Sequence, residues 1–405
     1  MKLTMGRRLR ESISPTWSVD RAAARWIWMP VTLFLVTRLG ICIVAYLAVP
    51  LIPDATSPPP YHLRGRENSL IDVFGSRWDA GFYVSIAEEG YFYEDVALPS
   101  VAFFPLLPLI MRAATPLLGD TVIAGILVSN LALLLATIVF YRLVSEMWDA
   151  ATADRAVWYW LIFPTAFFGA AIYTESLFLL VAIGSLYFAR RGYWEIAALL
   201  GVAATLTRFV GVLVPLMLFV EWLQQRRQAA VSDQPPPSGW ALLAPMVALL
   251  GIAGYAAYLW QAFGDPLAFI KGAAAWDRVP QTPLITLTEQ LQAPAEGWWT
   301  ALLAGRVHVD NWFDFAMAAL FLALGVVLLY KRRWAEGAFV VAGVAFTMSS
   351  GLLMSQRRYV WVLFPAFILL AQWGERVWVD RLVTTLSLLG LALLTALFAN
   401  GYWVG

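Results

Sequence analysis

The stretch Ser76–Tyr91, SRWDAGFYVSIAEEGY, sets an acid, Asp79, among aromatic side chains in a chain that is otherwise mostly apolar. A carboxylate in that setting can accept a proton from a hydroxyl, or it can cap a helix. Ser76 with an acid three residues on fits a capping box, so the spacing leaves both roles open. Trp78, Phe82 and Ile86 recur every four residues and predict one apolar face of a short helix, with Gly90 as its stop. Asp79 and Tyr83 lie one turn apart on a neighbouring face. Glu88 and Glu89 fall in the last turn, where the helix dipole disfavours negative charge by ~0.3–1 kcal/mol each; a solvated turn tolerates them.

The remaining residues with chemical content are mostly arginines. Arg208 ends an apolar stretch, and Arg357 and Arg358 stand side by side in a very short turn. Guanidinium forks suit phosphate oxygens in a dry interface; lipid headgroups at the same depth are the alternative. Glu175 can orient an arginine, accept from a hydroxyl, or sit in the first turn of the helix it begins. Arg38, inside the first apolar stretch, reads as one half of an interhelical ion pair. Trp276 can stack on a ligand or anchor at a membrane interface, and Asp265 sits in FGDP, a turn signal.

The elements that must position these residues are membrane helices. Of the 405 residues, 60% are hydrophobic and 14% charged, against about 25% charged in soluble domains. The mean hydropathy is +0.69. Windows of roughly 18 or more apolar residues recur, which predicts a polytopic all-α integral membrane protein rather than a barrel of short alternating strands. The net charge of +1 averages two different sides. No basic, aromatic-rich patch suggests nucleic acid. Cys42 is the single cysteine, and His62 and His308 are far apart, so neither a disulfide framework nor a thiolate or histidine metal site is expected. Lys2, Arg7, Arg8, Arg10, Arg21 and Arg25 precede a full-length apolar span with no small-residue cleavage pattern. That pattern predicts a retained first helix that starts in the cytoplasm.

Eleven crossings are expected, at about 27–49, 121–145, 156–172, 175–190, 193–207, 209–224, 240–263, 313–330, 335–353, 359–373 and 381–399. The apolar run 102–118 is left out on charge grounds. Without it, the cytoplasmic turns receive Arg142 and Arg155, Arg190 and Arg191, Arg226 and Arg227, Lys331 to Arg333, and Arg376 and Arg381. The run 102–118, broken by Pro105, Pro108 and Pro116, is therefore expected as a helix pair in the outer interface. The whole chain, 1–405, then reads as one membrane domain. It has a first long outer loop at 50–120 that carries the candidate site, a proline-rich cytoplasmic linker at 225–239, and a second long outer loop at 264–312.

RWDAGFYVSIAEEGY followed by FFPLLPLI resembles the signature of the PIG-V family, mannosyltransferases that add the second mannose to GPI precursors. The similarity runs in order through NLALLLATIVFYRL, FPTAFFGAAIYTESLFLL, ATLTRFVGVLVPL, GDPLAFIKGAAAWDR and RRYVWVLFPAFILLA, over roughly residues 76–372. Two blocks depart from the pattern. Glu94 and Asp95 are a poor match to the paired acids of many related families, and TRFVG lacks the small polar residues usual after TR. The chain has no N-glycosylation acceptor sequence, which favours a prokaryotic homologue.

The resemblance implies the GT-C fold and an enzyme that uses a polyprenyl-phosphate sugar at the extracytoplasmic face. It implies transfer of a hexose, mannose by analogy, to a glycolipid or other glycoconjugate by one inverting displacement. Asp79 would be the base. Arg208, Arg357 and Arg358 would hold the departing phosphate, and Arg77, Trp78, Tyr83, Glu175, Asp265 and Trp276 would contact substrate. No metal or other cofactor is expected. The expected surroundings are a prokaryotic plasma membrane, or the endoplasmic reticulum of a eukaryote. The rival expectation is a lipid or sugar transporter or flippase, which needs a polar pathway through the bilayer midplane.

Overall fold

A computed structural model describes residues 24–55, 63–93, 98–231, 235–291, 297–305 and 309–405. The basic residues before position 24, His62, Glu94, Asp95, His308 and part of the 225–239 linker lie outside the described residues. Every regular element among the described residues is helical. In chain order the helices are α1 (Arg25–Ala48), α2 (Leu70–Gly75), α3 (Asp79–Glu88), α4 (Leu106–Leu118), α5 (Thr121–Met147), α6 (Ala150–Leu161), α7 (Glu175–Arg190), α8 (Trp194–Thr207), α9 (Leu213–Ala229) and α10 (Leu243–Ala248). Then come α11 (Leu250–Phe263), α12 (Ala268–Ala273), α13 (Pro283–Gln290), α14 (Trp298–Leu303), α15 (Val309–Tyr330), α16 (Trp334–Met348), α17 (Gln356–Tyr359), α18 (Pro365–Trp373) and α19 (Val377–Ala399).

Six of the eleven expected crossings coincide with helices long and apolar enough to span a bilayer: α1, α5, Phe209–Ala229, Gly239–Phe263, Asp310–Tyr330 and α19. The other five are shorter or broken. The 16-residue α7, at 1.5 Å per residue, rises about 24 Å, short of the ~30 Å hydrocarbon core. The run 102–118 is a single helix, α4, preceded by one 3₁₀ turn at Ser100–Ala102, rather than a helix pair.

The expected span 156–172 is the clearest departure. Helix α6 ends at Leu161, Pro164 follows, and Ala166–Ala170 winds as 3₁₀. Nearly every residue from Tyr159 to Val181 is buried. The segment is apolar because it lies inside the bundle, where unwound backbone is tolerated once its polar groups find partners. Arg38 Nη1 donates to the Ala166 carbonyl at 3.0 Å, Ser176 Oγ to Gly169 at 3.2 Å and Asn130 Nδ2 to Ala170 at 3.1 Å. Arg38 therefore serves a backbone carbonyl, not the interhelical carboxylate expected for it. A Cβ on Gly169 would come within 2.7 Å of Leu133 and 2.9 Å of Trp361, so any larger residue would require those side chains to shift.

The bundle has two chemically different ends. Helix α7 begins at Glu175 and finishes at Arg190, which pairs with Glu221 of α9 at 3.1 Å and Glu336 of α16 at 2.6 Å. Arg333 also pairs with Glu336. This buried ion cluster locks α7, α9 and α16 together at the end away from Glu175. Several arginines that charge counting assigns to turns are therefore neutralised within the fold.

Candidate active site

Helix α3 begins at Asp79 itself. Ser76, the expected cap, instead ends α2, and its hydroxyl donates to the Asp72 carboxylate at 2.7 Å. Trp78, at φ +57°, stands at the start of α3 and makes no side-chain cap. The capping reading of Asp79 therefore fails, and its carboxylate is left for other contacts. Asp79 Oδ2 accepts from Arg358 Nη1 at 2.8 Å. Glu88 and Glu89 are exposed at the far end of α3, where Arg112 Nε donates to the Ala87 carbonyl at 2.6 Å.

Arg358 is placed by a tight turn. Ser355 has φ +78°, and Asp314 accepts from the backbone N–H of Ser355 at 3.2 Å and of Arg357 at 2.7 Å. The Arg358 Nε donates to Glu175 Oε1 at 2.5 Å, and Arg208 Nη1 is 2.6 Å from the same oxygen. Phe168 and Tyr173, from the unwound segment, lie 4.7 and 4.6 Å from the Arg358 guanidinium carbon. Two acids and two arginines thus form one connected group. Its exposures differ: the Asp79 side chain is 24% exposed, Arg358 6% and Glu175 0%. Asp79 is the carboxylate that faces open space.

That space is a cavity of about 520 Å³, whose lining includes Asp79, Tyr83, Arg208, Arg278, Arg358 and Trp403. Phe103, Trp276, Phe346 and Tyr359 add aromatic wall. The Tyr83 hydroxyl is 3.4 Å from Thr174 Oγ1. Burial, with the Asp79 charge adding to it, raises the phenol's pKa, so Tyr83 stays neutral. The Tyr359 ring carries the Arg208 guanidinium at 5.9 Å and the Arg278 guanidinium at 5.4 Å. Arg278 donates to Ser350 Oγ at 2.9 Å, and among the described residues it has no carboxylate within ion-pair distance.

The structure brings Asp79, Tyr83, Glu175, Arg208, Arg358 and Trp276 to or directly behind this cavity. Four expected contacts lie elsewhere. Arg357 turns away from the cavity onto Asp310 at 2.9 Å and Asp314 at 3.3 Å, because successive residues of one helical turn point in different directions. Arg77 donates to Asn68 and to the Ala399 carbonyl. Trp78 packs edge-on against Trp403 at 5.2 Å and does not line the cavity. Asp265 pairs with Lys271 at 2.8 Å outside it, and that hydrogen bond holds its carboxyl below the usual range. Arg278 and Trp403 went unassigned. Arg278 lies in the quoted AAAWDR block, so its position was legible; Trp403 follows the last span and carries no motif.

The fold is that of the GT-C membrane glycosyltransferases. A solved structure of ArnT from Cupriavidus metallidurans, bound to undecaprenyl phosphate, superposes with a TM-score of 0.50 at 14% identity, covering 91% of this chain and 74% of that one. Residues 29–228 match the family described as Mannosyltransferase (PIG-V). Through this region, just under half of the chain, the protein is similar to the PIG-V mannosyltransferases. GPI mannosyltransferase 2 of Cryptococcus neoformans is 31% identical over 157 residues, 35% of this chain and 36% of the relative. GPI alpha-1,6-mannosyltransferase 2 of Rattus norvegicus is 31% identical over 168 residues, 37% of this chain and 33% of the relative. Each match thus spans about a third of these curated relatives.

Proposed function

We propose that this protein is a membrane glycosyltransferase that moves a hexose, mannose by family, from a polyprenyl-phosphate sugar to a glycolipid or related acceptor at the extracytoplasmic face. The observation that carries this reading is the Asp79 carboxylate, fixed at 2.8 Å by Arg358 on the wall of the cavity of about 520 Å³. An acceptor hydroxyl entering the cavity gives its proton to Asp79. Its oxygen forms a bond to the anomeric carbon as the bond from that carbon to the phosphate oxygen breaks. The polyprenyl phosphate leaves with the bonding pair, and the configuration inverts.

Charge favours the same assignment. Asp79 and Glu175 neutralise Arg358 and Arg208, so among the described residues Arg278 remains as uncompensated positive charge in the cavity. A leaving phosphate needs stabilisation of this kind in a dry site. We assign phosphate contact to Arg278, with Arg208 beside the same Tyr359 ring. Arg358 chiefly orients the base, since an inverting displacement needs base and leaving group on opposite sides of the anomeric carbon. Trp276 and the other rings would face the sugar or its lipid.

The transporter reading is less well supported. The cavity opens where α7 begins, and the Arg190–Glu221–Glu336–Arg333 cluster occupies the opposite end. The full chain, purified in lipid nanodiscs, is to be given polyprenyl-phosphate mannose and a panel of glycolipid acceptors. Wild-type protein should release polyprenyl phosphate and form a new glycolipid, and Asp79→Asn should lower turnover by roughly 100-fold or more. Equal turnover by both proteins would remove the base assignment, and flux of intact donor without transfer would favour transport.

A further inference from the structure

We propose that Arg77 and Trp78 clamp residues 400–405 against Arg358, making Trp403 and Gly405 positioning residues for the arginine that orients Asp79. This rests on the reading of Asp79 as the base. Neither Arg77 nor Trp78 lines the cavity, although both adjoin Asp79 in sequence.

Helix α19 ends at Ala399, and Gly401 adopts φ +77°. The Gly401 N–H returns to Phe398 at 3.0 Å and the Tyr402 N–H to Leu397 at 3.1 Å, so the chain folds back over the helix end. The first loop secures this reversal. Ala55 N–H donates to the Asn400 carbonyl at 2.8 Å, and Arg77 Nη2 to the Ala399 carbonyl at 3.3 Å. Trp78 then meets Trp403 edge to face, with ring centroids 5.2 Å apart. A positive φ is rare for so bulky a residue. At Trp78 it lets one residue send its ring to Trp403 while the next, Asp79, opens a helix.

Beyond the clamp, the segment closes on Arg358. The Trp403 ring centroid is 5.8 Å from the Arg358 guanidinium carbon. Val404 and Gly405 are buried. A Cβ on Gly405 would fall 2.5 Å from Phe168 and 3.1 Å from the Arg358 Cδ, so the backbone itself packs on the arginine stem. Phe168, Tyr173, Trp403 and Gly405 leave the guanidinium little room except its observed position between Asp79 and Glu175. Two residues of the RWD motif thus hold the segment that holds Arg358, and the third uses Arg358.

The test uses the full chain in nanodiscs, with Arg77→Lys, Arg77→Gln, Trp403→Ala, Trp403→Phe and Gly405→Ala. Hydrogen–deuterium exchange over residues 397–405 reads the clamp, and donor and acceptor kinetics read the site. Arg77→Gln and Trp403→Ala should exchange faster across 400–405. Both should lower kcat roughly 10- to 100-fold, as a displaced orienting group does, with donor KM little changed. Trp403→Phe, which keeps an aromatic wall, should recover most of kcat, and Arg77→Lys should fall between. Gly405→Ala should mimic Trp403→Ala. Unchanged exchange in Arg77→Gln overturns the clamp. Faster exchange with full kcat, or a loss confined to donor KM, overturns the positioning role. If wild-type protein shows no transfer at all, the proposed function fails, while the exchange measurement still decides the clamp.

Discussion

The Asp79 carboxylate and the Arg358 guanidinium, 279 positions apart in sequence, meet at 2.8 Å. Arg358 reaches Glu175 with its other side, and Arg208 shares the same Glu175 oxygen. The pairing makes each arginine's role depend on its neighbours. On the proposed mechanism, an arginine already matched by a carboxylate orients the base, and one with no acid partner among the described residues binds the leaving anion. That distinction separates Arg358 from Arg278 and produces different expectations for each.

Glu175 should matter first to stability. Its carboxylate is fully buried and joins two arginines. Removing one partner of a buried ion group costs about 3–5 kcal/mol. Glu175→Gln is expected to lower the thermal midpoint sharply and to reduce activity in whatever fraction stays folded. A midpoint equal to that of the wild type would show that the bridge does not hold the two arginines.

Arg278→Gln is expected to behave differently. It leaves the Asp79–Arg358–Glu175–Arg208 group intact, so the thermal midpoint should move little. The loss of a charged hydrogen bond to phosphate, about 1.5–3 kcal/mol, should raise KM for a phosphate-bearing lipid substrate roughly tenfold or more. Donor and acceptor titrations, run separately, identify which lipid carries that phosphate. No change in either KM would remove Arg278 from the site.

Arg357 provides the contrast. Its guanidinium is committed to Asp310 and Asp314, and Asp314 also holds the turn that presents Arg358. Arg357→Gln and Asp314→Asn should lower stability and kcat while leaving donor KM near the wild-type value. A selective rise in donor KM for Arg357→Gln would return this residue to phosphate binding.

Chelation should have no effect. The proposed displacement uses Asp79 and arginine charge, and among the described residues no group of three or more potential metal-ligating side chains occurs. Turnover in EDTA should match turnover in added magnesium or manganese. Loss of activity in EDTA, restored by a divalent ion, would overturn the metal-free route.

Part of this was legible from residue order. The helix carrying Asp79, its stop near Gly90, and the place of Arg208 and Arg358 at the ends of apolar segments were all readable. The capping box at Ser76 was not a true signal, because Ser76 belongs to the preceding helix and serves Asp72. Apolar run length also misled at 156–172. A run buried by protein and a run facing lipid have the same composition, and only the first can unwind.

By itself the sequence determined an all-helical membrane protein, the resemblance of its ordered blocks to one glycosyltransferase family, and Asp79 as an acid set among aromatic residues in one of those blocks. These follow from local facts: run length, residue type and motif order. Tertiary structure alone decided that Arg358 meets Asp79 while Arg357 meets Asp314, that Arg278 has no acid partner among the described residues, and that Trp403 and Gly405 pack against Arg358. The physical reason is range. Coulombic pairing and packing act over a few ångströms in space, between residues that can be hundreds of positions apart, so their partners are set only when the bundle assembles.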